Sequence, residues 1–128
     1  MLIGYILLGA LGVWLLWRFW PVKGLNFIDP NTLCDDTELP KQVIKLDIRD
    51  ASFYQECHMN GSINISLGRL PFVWRKELSP EEPVLILSDS KYTIKKAARM
   101  LRRRGFQQLY ALRGDVCRVK AIVTPCLD

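Results

Sequence analysis

Four cysteines, one histidine and two polar stretches behind apolar runs are the places where this 128-residue chain could carry chemistry. Cys34, Cys57, Cys117 and Cys126 are the candidate nucleophiles, but they form no C-x-x-C pair and lie far apart in the chain. A zinc site needs several ligands at short, repeated spacing. His58 adjoins Cys57 directly, so no metal is expected, and no cofactor either. The plain reading of the cysteines is four small buried or half-buried groups, which a cytoplasmic domain would keep as thiols. The first polar stretch, Arg49-Asp50, follows Val43–Ile48, with Asp47 inside the run. The second, Ser88-Asp89-Ser90-Lys91-Tyr92-Thr93, follows Val84–Leu87. A serine hydroxyl attacks only beside a base, and no histidine lies near Ser88 in the sequence.

The elements around these stretches can be read from periodicity. Val43–Ile48 is β-rich and bounded by Pro40 and Arg49-Asp50, so it predicts a strand. Asp50 or Ser52 would cap a short helix carrying Phe53 and Tyr54, Gly61 would end it, and Ile63–Ile65 would form a second strand. Leu70, Val73, Trp74 and Leu78 recur at helical spacing within 68–78. Val84–Leu87 is continuously apolar, as in a strand covered on both faces. Ile94, Ala97, Ala98 and Leu101 predict a helix over 92–104 that stops at Gly105, and Leu109–Leu112 a last strand before Gly114. Asp29 or Asn31 would cap a brief helical turn over 31–34. Strands alternating with helices across short connections imply an α/β fold, a central parallel sheet flanked by helices in three layers. Working sites in such sheets form at the carboxyl ends of strands, and both polar stretches sit there.

The amino-terminal end is of another kind. Residues 2–17 carry no charge, and Phe19 and Trp20 extend the apolar run to the lower limit for a membrane-spanning helix. Tyr5 at one end and Trp14, Trp17 and Trp20 at the other suit the two water–lipid interfaces. A cleaved signal would open with Lys or Arg and close on small residues, which this segment does not. Arg18 and Lys23 follow the run, so the chain is expected to cross once with its carboxyl-terminal domain in the cytoplasm. The division expected is a transmembrane helix over 1–20, a juxtamembrane linker over 21–27 and one domain over 28–128.

Two blocks in this domain resemble the rhodanese-like family. Leu46-Asp-Ile-Arg-Asp50, then Phe53-Tyr54, then His58-Met-Asn-Gly61-Ser-Ile-Asn-Ile65 is similar to the first rhodanese signature. Val84–Leu87, the helix at 92–104, Gly105-Phe106 and Leu109-Tyr-Ala-Leu-Arg-Gly114 are similar to the strand, helix and strand that frame the family's active-site loop. The resemblance implies a persulfide-carrying cysteine directly after the strand, cradled by a six-residue loop. Here that position holds Ser88; Lys91 stands where a glycine is expected, and Thr93 and Ile94 where an arginine and a serine are expected. A hydroxyl forms no persulfide, so the loop Ser88–Thr93 reads as a degenerate site and the domain as a pseudoenzyme serving binding or scaffolding. The alternative is a sulfurtransferase using a non-standard cysteine. By the same resemblance Asp47 and Arg49 orient the loop region, and His58 and Gly61 fix a turn.

The net charge of +5 is unevenly spread. From Lys91 onward the bases face only Asp115 and Asp128. Lys95, Lys96, Arg99, Arg102, Arg103 and Arg104 make the 92–104 helix cationic outside its apolar stripe, a surface for anionic lipid or an acidic protein partner. No aromatic side chains interleave with these charges as nucleic-acid stacking requires, so no nucleic acid is expected.

Overall fold

The computed structural model of the chain describes residues 1–20, 24–31, 40, 42–112 and 114–127, with the side chains of the last helix described through Val123. The helical turn expected at 31–34 and the charge of Lys23 lie outside the described residues, as do Cys34 and the side chain of Cys126.

Helix α1, Leu2–Phe19, has a mean hydropathy of 1.8 and no buried residue, so it is long and apolar enough to cross a membrane. Five parallel strands follow: β1 (Leu25–Ile28), β2 (Ile44–Asp47), β3 (Ile63–Asn64), β4 (Val84–Leu87) and β5 (Leu109–Leu112), in the order β1-β5-β4-β2-β3. The helices are α2 (Ala51–Glu56), α3 (Leu70–Glu77), α4 (Lys91–Arg103) and α5 (Val116–Leu127). The chain is thus an α/β domain with a parallel sheet between helical layers, behind an apolar helix.

The strand alternation divides the core. Leu46, Val84, Ile86, Leu109 and Ala111 pack with Leu70, Trp74, Ile94, Ala97, Ala98 and Leu101, so α3 and α4 cover one face. Ile28, Leu85, Leu87 and Leu112 pack with Met59, Val116, Val119 and Val123, so α5 covers the other. This accounts for the unbroken apolar run in β4, whose four residues are all buried.

Two expectations need correction. Residues 25–27, read as linker, are sheet: Leu25 pairs with Leu109 and Ile28 with Leu112 along the edge. Leu25 and Phe27 are half-buried against one core and Ile28 is buried in the other, with only Asn26 exposed, and a run this short gives little periodic signal. The last helix, α5, was not anticipated, although Val116, Val119 and Val123 recur at helical spacing and are buried. Helix α2 ends at Glu56, several residues before the stop expected at Gly61; the remaining elements stand within a residue or two of their expected ends, the usual latitude of helix and strand boundaries.

Ile86 has no exposure and lies at the centre of the sheet. Ile86→Ala is expected to lower stability by about 2–5 kcal/mol, measured as a fall in urea midpoint of the detergent-solubilised chain followed by circular dichroism.

Candidate functional site

At the carboxyl end of β2 the chain places an acid and a base two residues apart, both buried. Arg49 Nε donates to Asp47 Oδ1 at 3.0 Å and to Oδ2 at 3.1 Å, and Nη2 donates to Oδ2 at 2.7 Å. The Arg49 backbone N–H donates to the same Oδ1 at 3.0 Å, which closes a tight local ring. A planar guanidinium meets a carboxylate two-pronged in this way, and each neutralises the other's cost of leaving water. The hydrogen bond to Asp47 raises the Arg49 pKa above its ordinary value, against the opposing effect of burial, and the charges of Asp47, Asp89 and Asp115 add to it.

The pair also links three segments. Arg49 Nη2 donates to the Cys57 carbonyl at 2.6 Å, past the end of α2. Asn64 Nδ2, on β3, donates to the carbonyls of Asp47 at 3.1 Å and Arg49 at 2.9 Å. Asp47 and Arg49 therefore brace the carboxyl end of the sheet. His58 and Gly61 build the neighbouring turn. His58 Nδ1 lies 2.7 Å from the Tyr54 carbonyl, which can only accept, so that nitrogen carries the proton. The two rings stack at 4.0 Å, and the Tyr54 hydroxyl donates to the Ser62 carbonyl at 2.7 Å. Gly61 has a φ of 76°, the left-handed region that a side chain disfavours.

The loop after β4 is short. Ser88, 7% exposed, ends the strand, and its Oγ lies 2.7 Å from Thr93 Oγ1. The Ser90 N–H donates to Ser88 Oγ at 3.4 Å, and Thr93 Oγ1 donates to the Ser90 carbonyl at 2.8 Å. Lys91, Tyr92 and Thr93, read as loop, are the first turn of α4. No strain attends Lys91, since among the described residues no non-glycine has a positive φ. Its ammonium does not close over the loop but lies 5.9 Å from the Phe27 ring centroid. Asp89 Oδ1 accepts the Val116 N–H at 2.9 Å, capping α5. A carboxylate thus follows Ser88 directly.

Cys57 and Cys117 form a disulfide, with Cα atoms 5.8 Å apart, which corrects the expectation of thiols for these two. Among the described cysteines none is free. Cys57 lies near the working end of the sheet although it follows a helix. Helix α2 has six residues and spans about 9 Å, and Arg49 holds the Cys57 carbonyl. Cys117 follows the first residue of α5, so the pair lies beside the Asp89 cap. Nothing in a spacing of 60 residues signals that pairing.

The basic residues of α4 separate into groups. Lys96, Arg99 and Arg103 line a groove toward the end of α1. Arg102 Nη1 donates to the Gln107 carbonyl at 3.2 Å, and its guanidinium lies so close to Gly24 (φ 83°) that a Cβ there would meet it at 2.8 Å. Arg102 is thereby committed to packing. Lys95 is half-buried and Arg104 exposed beyond the helix end. Among the described residues no cluster of His, Cys, Asp and Glu could hold a metal ion.

A parallel sheet in three layers, a buried acid–arginine brace after β2 and a short loop after β4 leading into a helix define an α/β domain of the rhodanese-like class. Residues 32–121 match the rhodanese-like domain, and the chain belongs to that family. Among solved structures, it is similar to the rhodanese-like domain of the Alr3790 protein from Anabaena, with 25% identity, a TM-score of 0.58 and coverage of 63% of this chain and 93% of that one. It shares the fold of the single-domain sulfurtransferase of Saccharomyces cerevisiae at 14% identity, TM-score 0.62, covering 85% and 99%. It likewise shares the fold of a rhodanese-related protein from Thermoplasma volcanium at 16% identity, TM-score 0.58, covering 80% and 95%.

Asp47→Ala leaves the Arg49 charge buried without its partner and is expected to cost about 3–5 kcal/mol, read by denaturation of the purified chain. Reducing Cys57–Cys117 opens a closure of 60 residues, so dithiothreitol is expected to lower stability by about 2–4 kcal/mol. A Cys57→Ser, Cys117→Ser double variant should show no response to the reductant in the same measurement.

Proposed function

We propose that this chain is a single-pass membrane protein whose rhodanese-like domain no longer transfers sulfur and works as a binding module at the membrane surface. The observation that carries the reading is the state of Ser88. An alcohol stands where active relatives need a thiolate, and its oxygen is buried and engaged by Thr93 and Ser90. The surroundings agree with that loss. Anionic sulfur is stabilised by converging N–H groups and positive charge, whereas Asp89 brings a negative charge to the next residue. The Lys91 ammonium lies toward Phe27.

The membrane assignment is supported by the uncharged run to Trp17, by the tryptophans at one end and by Arg18 behind it. The binding role is supported by the cationic side of α4, with Lys96, Arg99, Arg103 and Arg104 facing outward or into the groove and an acidic surface as their natural complement.

One observation favours a second reading. Cys57 and Cys117 lie beside the loop, and on reduction either offers a thiol near the carboxyl end of the sheet. A thiosulfate–cyanide assay on the full chain in detergent separates the two. Background turnover is expected with and without reductant. Turnover that vanishes in Cys57→Ala or Cys117→Ala establishes the sulfurtransferase instead. Ser88→Cys is expected to stay near background, because Asp89 and the Thr93 hydroxyl remain.

A further inference from the structure

The end of α1 and the domain meet across a groove of about 890 Å3, within the range of sites that hold small organic ligands. One wall is indole: Trp17 and Trp20, 77% and 62% exposed. Pro71 and Leu67 supply an apolar floor. The opposite wall is one stripe of α4, in which Tyr92, Lys96, Arg99 and Arg103 recur every three or four residues. Two contacts close the inner end. Arg99 Nη2 donates to the Trp20 carbonyl at 3.1 Å, and the Arg18 guanidinium lies 4.5 Å from the centre of the Tyr92 ring. Among the described residues lining the groove there is no carboxylate.

The arrangement has two halves with different chemistry. Three cations with no acid among them call for an anion, and the bidentate donors of Arg99 and Arg103 suit phosphate oxygens. The exposed indoles call for something apolar that still lies beside water, the place tryptophan takes at the edge of a bilayer. An acidic peptide satisfies the first half and leaves the indoles uncovered. A molecule with a charged phosphodiester joined to hydrocarbon satisfies both.

We infer that this groove seats one anionic glycerophospholipid, its phosphate against Lys96, Arg99 and Arg103 and the upper part of its acyl chains against Trp17, Trp20 and Pro71. The inference rests on the proposed reading that α1 spans a membrane, and it names the ligand of the basic side of α4. The lipid would act as a wedge that fixes the angle between anchor and domain, since it touches both.

The test uses the full chain in mixed micelles holding phosphatidylglycerol and phosphatidylcholine in equal amounts, with retained lipid read by native mass spectrometry. One phosphatidylglycerol per chain is expected, retained at least tenfold over phosphatidylcholine. Each basic side chain adds a comparable increment of attraction, so Lys96→Gln, Arg99→Gln, Arg103→Gln together should abolish the preference. Arg75→Gln, Lys76→Gln, Arg118→Gln, which removes the same charge from exposed positions outside the groove, should keep it. Equal losses in both triple variants, or no preference in the parent chain, overturn the inference. Displacement by soluble glycerol phosphate or by an acidic peptide overturns it in favour of that ligand. Alkaline carbonate extraction of native membranes keeps the two readings apart. A chain that extracts refutes the membrane span itself, whereas one that stays embedded yet retains no phosphatidylglycerol refutes only the lipid site.

Discussion

The ion pair of Asp47 with Arg49 is the constraint on which the working end of this domain is built. A carboxylate with no exposure at the tip of a central strand must be neutralised where it stands. Arg49 does so while Nη2 also donates to the Cys57 carbonyl, and the backbone at both residues is held by Asn64 on the next strand. The loop-facing end of β2 is therefore one rigid unit with the close of α2 and with β3. The Tyr54–His58 stack extends that unit through the turn at Gly61. Asp47, Asp89 and Asp115 all favour the charged form of Arg49.

That frame surrounds a loop in which the residue ending β4 is an alcohol, Ser88, whose oxygen is turned to Thr93. The charge beside it is negative. Where an anionic sulfur would need positive potential, the residue after Ser88 spends its carboxylate on the first N–H of α5. The same helix start that could have steadied an anion is already occupied by one. Fold and activity are separable properties, and the brace belongs to the first: its contacts join β2, α2 and β3.

Much of this could be read from residues in order. The apolar run of β4, the helical recurrence of Ile94, Ala97, Ala98 and Leu101, and the Asp47–Arg49 spacing each report local physics, and each appears where expected. The misses are non-local. Leu25–Ile28 looks like linker because a four-residue edge strand draws its partner from Leu109–Leu112, more than eighty residues on. The approach of Cys57 to Cys117 depends on how short α2 is and on where α5 begins, which no spacing rule encodes. The six bases in and just after α4 look alike in sequence, yet Arg102 is taken up by Gln107 and packs on Gly24 while Lys96, Arg99 and Arg103 share the groove, a division set by contacts with residues distant in the sequence.

The pairing of β1 with β5 has an implication for biogenesis. The strand nearest α1 is among the first of the domain to leave the ribosome, but its hydrogen-bonding neighbour β5 is made more than eighty residues later. Until Leu109–Leu112 emerges, β1 has no ladder to join and β4 exposes an unpaired, wholly apolar edge. Closing that long interval in the chain is slow compared with local helix formation. The sheet of the nascent protein is thus completed only when β5 has been synthesised, and its edges stay open to wrong pairing until then.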